Sequence, residues 1–405
     1  MPAMLAHWEV AEEARGRLHD GALARLLEAE RDAYKVGAQG PDFLFYSRVW
    51  SGDPEHRKLA LHVHQHRTRD TFEGFFAHAL RLPADERAVA LAFACGYAAH
   101  LCLDAEAHPW IMYWSGDITD RADPGTQRVA FGRHGLLESS VDVMLRQRRS
   151  ADPAWLRRAG LLRMSRRQTA VVARMLTRVL GDVYGVAFPA AAGRASFRDM
   201  ALIYSAMSDR RAPLTRLLTL LAPALDRAGV MTRTQVYPDE PLALVVDLAT
   251  TRRRWFRPSR PDEPRTETFD EILALAVTET ERCLAVVQGL LDGAGADEVA
   301  DAIGDRDMLT GVAAAAAPPR RAPGAPSLTP GATRATRTAA AQRASAAVAL
   351  PSSGRLVARR TVRRSSAARP APAPARRGRP PGRSRPSRRW APPCPCSRRR
   401  SAWRR

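Results

Sequence analysis

In the apolar stretch GYAAHLCLDAEAHPWIMYWSG, residues 96–116, an ionisable side chain recurs at every fourth position: His100, Asp104, His108. This pattern constrains the chain more than any other. On a helix, each step of four residues drifts by only about 40°, so the three side chains form one stripe on one face. Burying one histidine or aspartate in a helical core is ordinary, since one hydrogen bond satisfies it. Burying three in register costs too much without partners or a metal. Imidazole and carboxylate are also the donors that zinc takes. Pro109 follows His108 at once, and the residue before a proline disfavours helical geometry. The expectation is a central helix over 86–107 that ends at His108, then a solvated loop to about residue 130.

A second stripe follows in FGRHGLLESSVDVMLRQRR. His134, Glu138 and Asp142 share the i, i+4, i+8 spacing. Glu138 and Asp142 could instead pair with Arg133 and Arg146 on the same helix. Upstream, LHVHQHRTRD places His62, His64 and His66 at alternate positions. All three share a face if the segment is extended, and only His62 and His66 do if it is helical. GAQGPDFLFY reads as a turn carrying Asp42, either a cap for the next helix or a ligand. His7 precedes helix-like periodicity over residues 3–36; a lone histidine near a chain end is ordinarily solvated.

The rest of the chain reads as helical or unstructured. Apolar residues at three-and-four spacing predict helices around 154–163, 166–182, 196–208, 213–228 and 268–292, with no strand alternation. Phe72, Phe75 and Phe76 are at helical spacing and belong to the core. The fold class expected is all-α, a multi-helix bundle over 1–295, with 296–310 as a linker and 311–405 as a disordered tail rich in Arg, Ala and Pro.

The formal charge of +21 would point to nucleic acid, but its distribution does not. Residues 311–405 hold 23 of the 63 basic residues and no Asp or Glu, which leaves 40 basic against 42 acidic over 1–310, a net of −2. The basicity therefore belongs to the tail, which could touch anionic surfaces or nucleic acid weakly. Of the five cysteines, Cys95 and Cys102 read as small core hydrophobes, and Cys394 and Cys396 lack a second pair for a zinc site. The start MPAMLAHWEV has no basic or apolar leader region, which predicts a cytoplasmic protein. The longest apolar run is interrupted by His100 and Asp104 and is judged too short to cross a bilayer.

In chain order the candidates are His7, Asp42, His62/His64/His66, His100-x3-Asp104-x3-His108 and His134-x3-Glu138. With GAQGPDFLFY, GYAAHLCLDAEAHPWIMYWSG and HGLLESSVD, this order resembles the zinc-dependent phospholipase C family, in its bacterial branch without a signal peptide. That scaffold is related to the S1/P1-type nucleases. The segment VVDLATTRRRWFRPSRPDEPRTETFDEILALA is similar to the family's C-terminal part, with Trp255 before a loop and a final helix.

The resemblance implies a helical bundle around two or three zinc ions. Asp42, one histidine of the 62–66 group (His64 or His66 foremost), His100 and Asp104 would hold the first. His108, His134 and Glu138 would hold the second. His7 and a bridging Asp104 would hold the third. Secreted members complete that third site with an N-terminal Trp, and this chain reads MPAMLAHW there, so either Pro2 substitutes or the site is weak or empty. Asp42 would orient or deprotonate the attacking water, and a phospholipid would yield diacylglycerol and a phosphorylated head group. Two other readings stand beside this one: a single-strand nuclease on the related scaffold, or a non-catalytic helical protein that holds metal for stability.

Overall fold

A computed structural model describes residues 4–47, 55–119, 124–160, 162–208, 220, 238 and 240–313. Pro2 and the tail beyond residue 313 lie outside them, as does the helix expected around 213–228 apart from Leu220. Among the described residues the chain is multi-helical with one small hairpin. The order is α1 Met4–Gly16, α2 Ala22–Ala29, α3 Arg31–Gly37, a 3₁₀ helix Gly40–Tyr46, α4 Glu55–Gln65, α5 Thr68–Leu80, α6 Ala84–Ser115, α7 Pro124–Arg148, α8 Pro153–Gly160, α9 Arg166–Tyr184 and α10 Ala190–Ser208. Then come α11 Ala243–Thr250, β1 Trp255–Arg257, β2 Arg260–Arg265, α12 Phe269–Leu291 and α13 Ala296–Ile303.

Helix α6 is the axis. It packs chiefly against α3 and α12, with α5, α7 and α9 around it. Its meeting with α3 is backbone to backbone: a Cβ on Gly96 would lie 2.0 Å from the Tyr34 carbonyl oxygen, and one on Gly37 2.2 Å from that of Phe93. Phe72, Phe75 and Phe76 of α5 are buried as expected and meet the same helix, with the Phe75 and Tyr97 rings 5.2 Å apart, edge to face. Cys95, Cys102 and Cys283 are buried free thiols in this core. Two of the later helices start on reciprocal caps that their sequences spell out. Ser165 and Gln168 cap α9, and Thr268 and Glu271 cap α12.

Four expectations need correction. First, Pro109 does not end α6, which runs on to Ser115. A proline within a helix removes one hydrogen bond and strands the carbonyl four residues back, here Ala105. That cost is tolerable where packing on both sides holds the helix, and Trp110, Ile111 and Met112 are all buried beyond it. Second, the longer helix is apolar and long enough to cross a membrane by length and composition, but 94% of its most apolar window is buried inside the protein, as for a core helix. Third, α7 already begins at Pro124, within the stretch expected to be loop; proline suits a first helical turn.

Fourth, residues 255–265 form an antiparallel hairpin, and 296–310 is no linker. The hairpin was hidden because RPDEPR has no alternation of apolar and polar residues. Instead Trp255 alone is fully buried, its indole Nε1–H donating to the Glu267 carbonyl at 3.1 Å. Beyond α12, α13 packs on α5, and the following turn closes on itself: Asp307 accepts the N–H groups of Leu309 and Thr310 at 2.7 and 3.1 Å. Met308 and Leu309 are buried.

Candidate metal centre

Five elements deliver ionisable side chains to one interior point. Helix α6 brings His100, Asp104 and His108 down one face, as its spacing requires. Helix α7 brings His134 and Glu138, the first turn of α1 brings His7, the 3₁₀ helix brings Asp42 and the end of α4 brings His64. All eight are buried, none more than 8% exposed.

Asp104 sits at the middle. Its Oδ2 lies 2.9 Å from His100 Nε2 and 3.7 Å from His64 Nε2, while its Oδ1 lies 3.4 Å from His7 Nε2 and 3.6 Å from His108 Nε2. His64 Nε2 also lies 3.3 Å from Asp42 Oδ1. On the α7 side, Glu138 Oε1 lies 3.1 Å from His134 Nε2 and 3.5 Å from His108 Nε2. Three sets have donor atoms all within 4.8 Å of one another: His7, Asp42 and His100; His64, His100 and Asp104; His108, His134 and Glu138.

The second imidazole nitrogen of two histidines is anchored on the backbone. His64 Nδ1 lies 2.7 Å from the Ala60 carbonyl, and His100 Nδ1 3.3 Å from that of Ala38. With the proton on Nδ1 donated to a carbonyl, Nε2 presents a lone pair to the centre, which is how proteins prepare a histidine for a metal. Gly40 makes room for this arrangement. It has φ +51°, and a Cβ there would lie 2.1 Å from the His100 ring.

Electrostatics tie the groups together. Burial alone would raise Asp104, but the charges of His100 and His108 outweigh it and hold its carboxyl far below the usual range. Burial likewise opposes ionisation of Asp42, and the His64 hydrogen bond and His100 bring its pKa down. Glu138 is held well below its ordinary value against the same penalty, with His134 and His108 contributing. Burial would lower His108, yet Asp104 and Glu138 push it up to about 9. His7 goes the other way: burial, and then its stacked neighbour His100, lower it to about 3.

The donor chemistry fits divalent zinc: imidazole nitrogens and carboxylate oxygens, buried together. One further observation favours a cation. His100 Nε2 and Asp104 Oδ2, though close, satisfy no hydrogen-bond geometry among the described residues. Buried polar atoms are normally paired, and two left so at the middle of the site fit a place made for a cation.

The histidine choice left open by the sequence is decided by packing. His64 enters the cluster. The rings of His62 and His66 lie 4.6 Å apart, with His62 5.7 Å from Tyr184, and neither belongs to any of the three sets. His66, taken forward as a ligand candidate, is thus not brought to the centre. Sequence reasoning also missed Asp142. Its buried Oδ1 accepts the N–H groups of Leu5 and Ala6 at 3.0 and 3.2 Å. It thereby caps α1 from across the interface, one residue before His7. The signal was present as the third member of the α7 stripe, but its partner lies 136 residues away.

Residues 6–182 match the family model described as zinc dependent phospholipase C. That span contains every side chain of the cluster. No curated protein and no solved structure matches the chain.

Proposed function

From the membership of residues 6–182 in the zinc-dependent phospholipase C family, we propose that this chain is a phosphodiester hydrolase that cleaves a phospholipid to diacylglycerol and a phosphorylated head group. One observation carries the reading: three sets of histidine and carboxylate donors converge, buried, inside the family-matching span.

His64, His100 and Asp104 would hold one zinc, His108, His134 and Glu138 a second, and His7 with Asp42 and His100 or Asp104 a third. Bound zinc supplies an acidified water, a Lewis acid for phosphate oxygens, and the positive charge that lets an anionic substrate approach three carboxylates. The chain's own groups do the rest. Asp42 is ionised at neutral pH, so it can accept a hydrogen bond from the attacking water and align it. Its lowered pKa makes it a weak proton store, so alignment is its main contribution. The backbone anchors on His64 and His100 fix ring orientation before substrate arrives. The apolar walls, including Ile111, Val141 and Phe269, keep bulk water from the buried side of the cluster.

The test is metal analysis of the full chain purified without chelator, followed by side-by-side assays on phosphatidylcholine and single-stranded DNA. Two or three zinc per chain and release of phosphorylated head group are expected. Cleavage of DNA alone would transfer the chain to the nuclease reading, which the net charge of −2 over residues 1–310 disfavours. Bound zinc with neither activity would leave a structural metal protein.

A further inference from the structure

Two backbone carbonyls beside candidate ligands are met by one segment far along the chain. The first is that of His64 itself, which accepts the Met308 N–H at 2.7 Å. The second is that of Ala105, next to Asp104. Pro109 has no N–H, so this oxygen has lost its helical donor. Gly311 is packed against it: a Cβ on Gly311 would lie 2.0 Å from the Ala105 oxygen and 2.5 Å from Arg257 Nη1, and its φ is +68°. Only glycine suits such a position.

The segment is held in place on all sides. Thr68 Oγ1 donates to the Arg306 carbonyl at 2.7 Å, and the Gly311 N–H returns to the Asp307 carbonyl at 2.8 Å. Arg257 of the hairpin donates to the Gly311 carbonyl at 2.8 Å and, through Nη2, to both Glu106 oxygens at 3.0 and 3.1 Å. Arg265 adds a third bond to Glu106 at 2.9 Å. Glu106 lies midway between Asp104 and His108 on α6, so the hairpin grips the very turn that separates them.

We infer that residues 305–313, together with Arg257 and Arg265, form a positioning clamp that sets the spacing of His64, Asp104 and His108 by holding the α4 end and the Pro109 turn of α6. These are positioning residues, since none of them touches the centre. The inference rests on the metal-centre reading above, and the clamp lies wholly outside the family-matching span of 6–182. Metal–ligand distances tolerate only about 0.2 Å, so a small shift of one α6 turn is felt as lost affinity.

The experiment compares the full-length wild type with Gly311→Ala, Glu106→Gln and a control, Gly293→Ala. Gly293 also has positive φ (+104°), but nothing lies within 4 Å of its added Cβ, so the control carries backbone strain without the clash. Zinc affinity is read by competition with a chromophoric chelator, and ligand geometry by the visible spectrum of the cobalt(II) form. Gly311→Ala should weaken zinc by about 10–100-fold and shift the cobalt bands, Glu106→Gln should do so less, and Gly293→Ala should do neither. If Gly311→Ala does not fold, Glu106→Gln alone decides. Wild-type affinity and spectrum in both clamp variants, or an equal loss in Gly293→Ala, overturns the clamp while the metal centre stands. A wild type that takes up neither zinc nor cobalt overturns the metal-centre reading itself, and the clamp with it.

Discussion

Between Val89 and Tyr97, α6 buries valine, leucine, phenylalanine, cysteine and a tyrosine ring; between His100 and His108 the same helix buries two imidazoles and a carboxylate to the same degree. The first half contributes to the fold. Each large apolar side chain there is worth roughly 1.5–3 kcal/mol in burial. The second half draws on the fold, because each buried ion costs several kcal/mol before its partners offset it. Equal burial therefore means opposite things, and the difference shows in the partners. The Phe75 and Tyr97 rings meet edge to face, whereas His100 Nε2 and Asp104 Oδ2 face each other without a satisfied hydrogen bond.

Substitutions should separate the halves. The largest effect is expected for Asp104→Asn, which weakens the donor shared by His7, His64, His100 and His108. Zinc content by elemental analysis should fall, and hydrolysis with it, well beyond the ~10–100-fold typical of losing an outer partner. The metal-free variant should melt no lower than metal-free wild type. Full zinc retention would erase the proposed contrast between the halves. Asp142→Ala comes next. Removing the cap on α1 should cost about 1–2 kcal/mol in urea unfolding and loosen the metal proposed at His7, leaving the proposed site of His108, His134 and Glu138 occupied.

A smaller signal is the proton balance. His108 is raised to about 9 and so carries a proton at about pH 7.5 in the metal-free protein, whereas His7, lowered to about 3, does not. A ligating imidazole must be neutral, so zinc binding should expel the His108 proton. Calorimetry in buffers of different ionisation enthalpy should register this release near neutrality and see it fade as pH rises through about 9. Release independent of pH would show that His108 is not a ligand. Phe75→Ala should have the smallest effect on the centre. It should cost about 3–5 kcal/mol of stability with zinc per folded chain unchanged. A proportional loss of zinc would mean that the two halves of α6 are one cooperative unit.

Much of the site was legible because a helix repeats. His100, Asp104 and His108, and His134 with Glu138, could be placed on common faces without knowing what those faces met. The all-helical class followed from the same periodicity. Less local features escaped. The hairpin is held by Trp255 and by arginines on Glu106, none of which produces strand alternation. Pro109 looked like a terminator because its effect on its own helix is local and unfavourable, while the packing that accommodates it comes from residues about 150 to 200 positions later.

What the sequence by itself determined was the donor inventory and its spacing along each helix, since covalent order and the helical repeat are enough for that. Only the tertiary structure decided that His64 rather than His66 meets Asp104, that Asp142 reaches across to cap α1, and that residues 305–313 return to the end of α4 and to α6. Those choices depend on which helix faces meet, and that is set by interior packing across the whole chain rather than by any stretch within it.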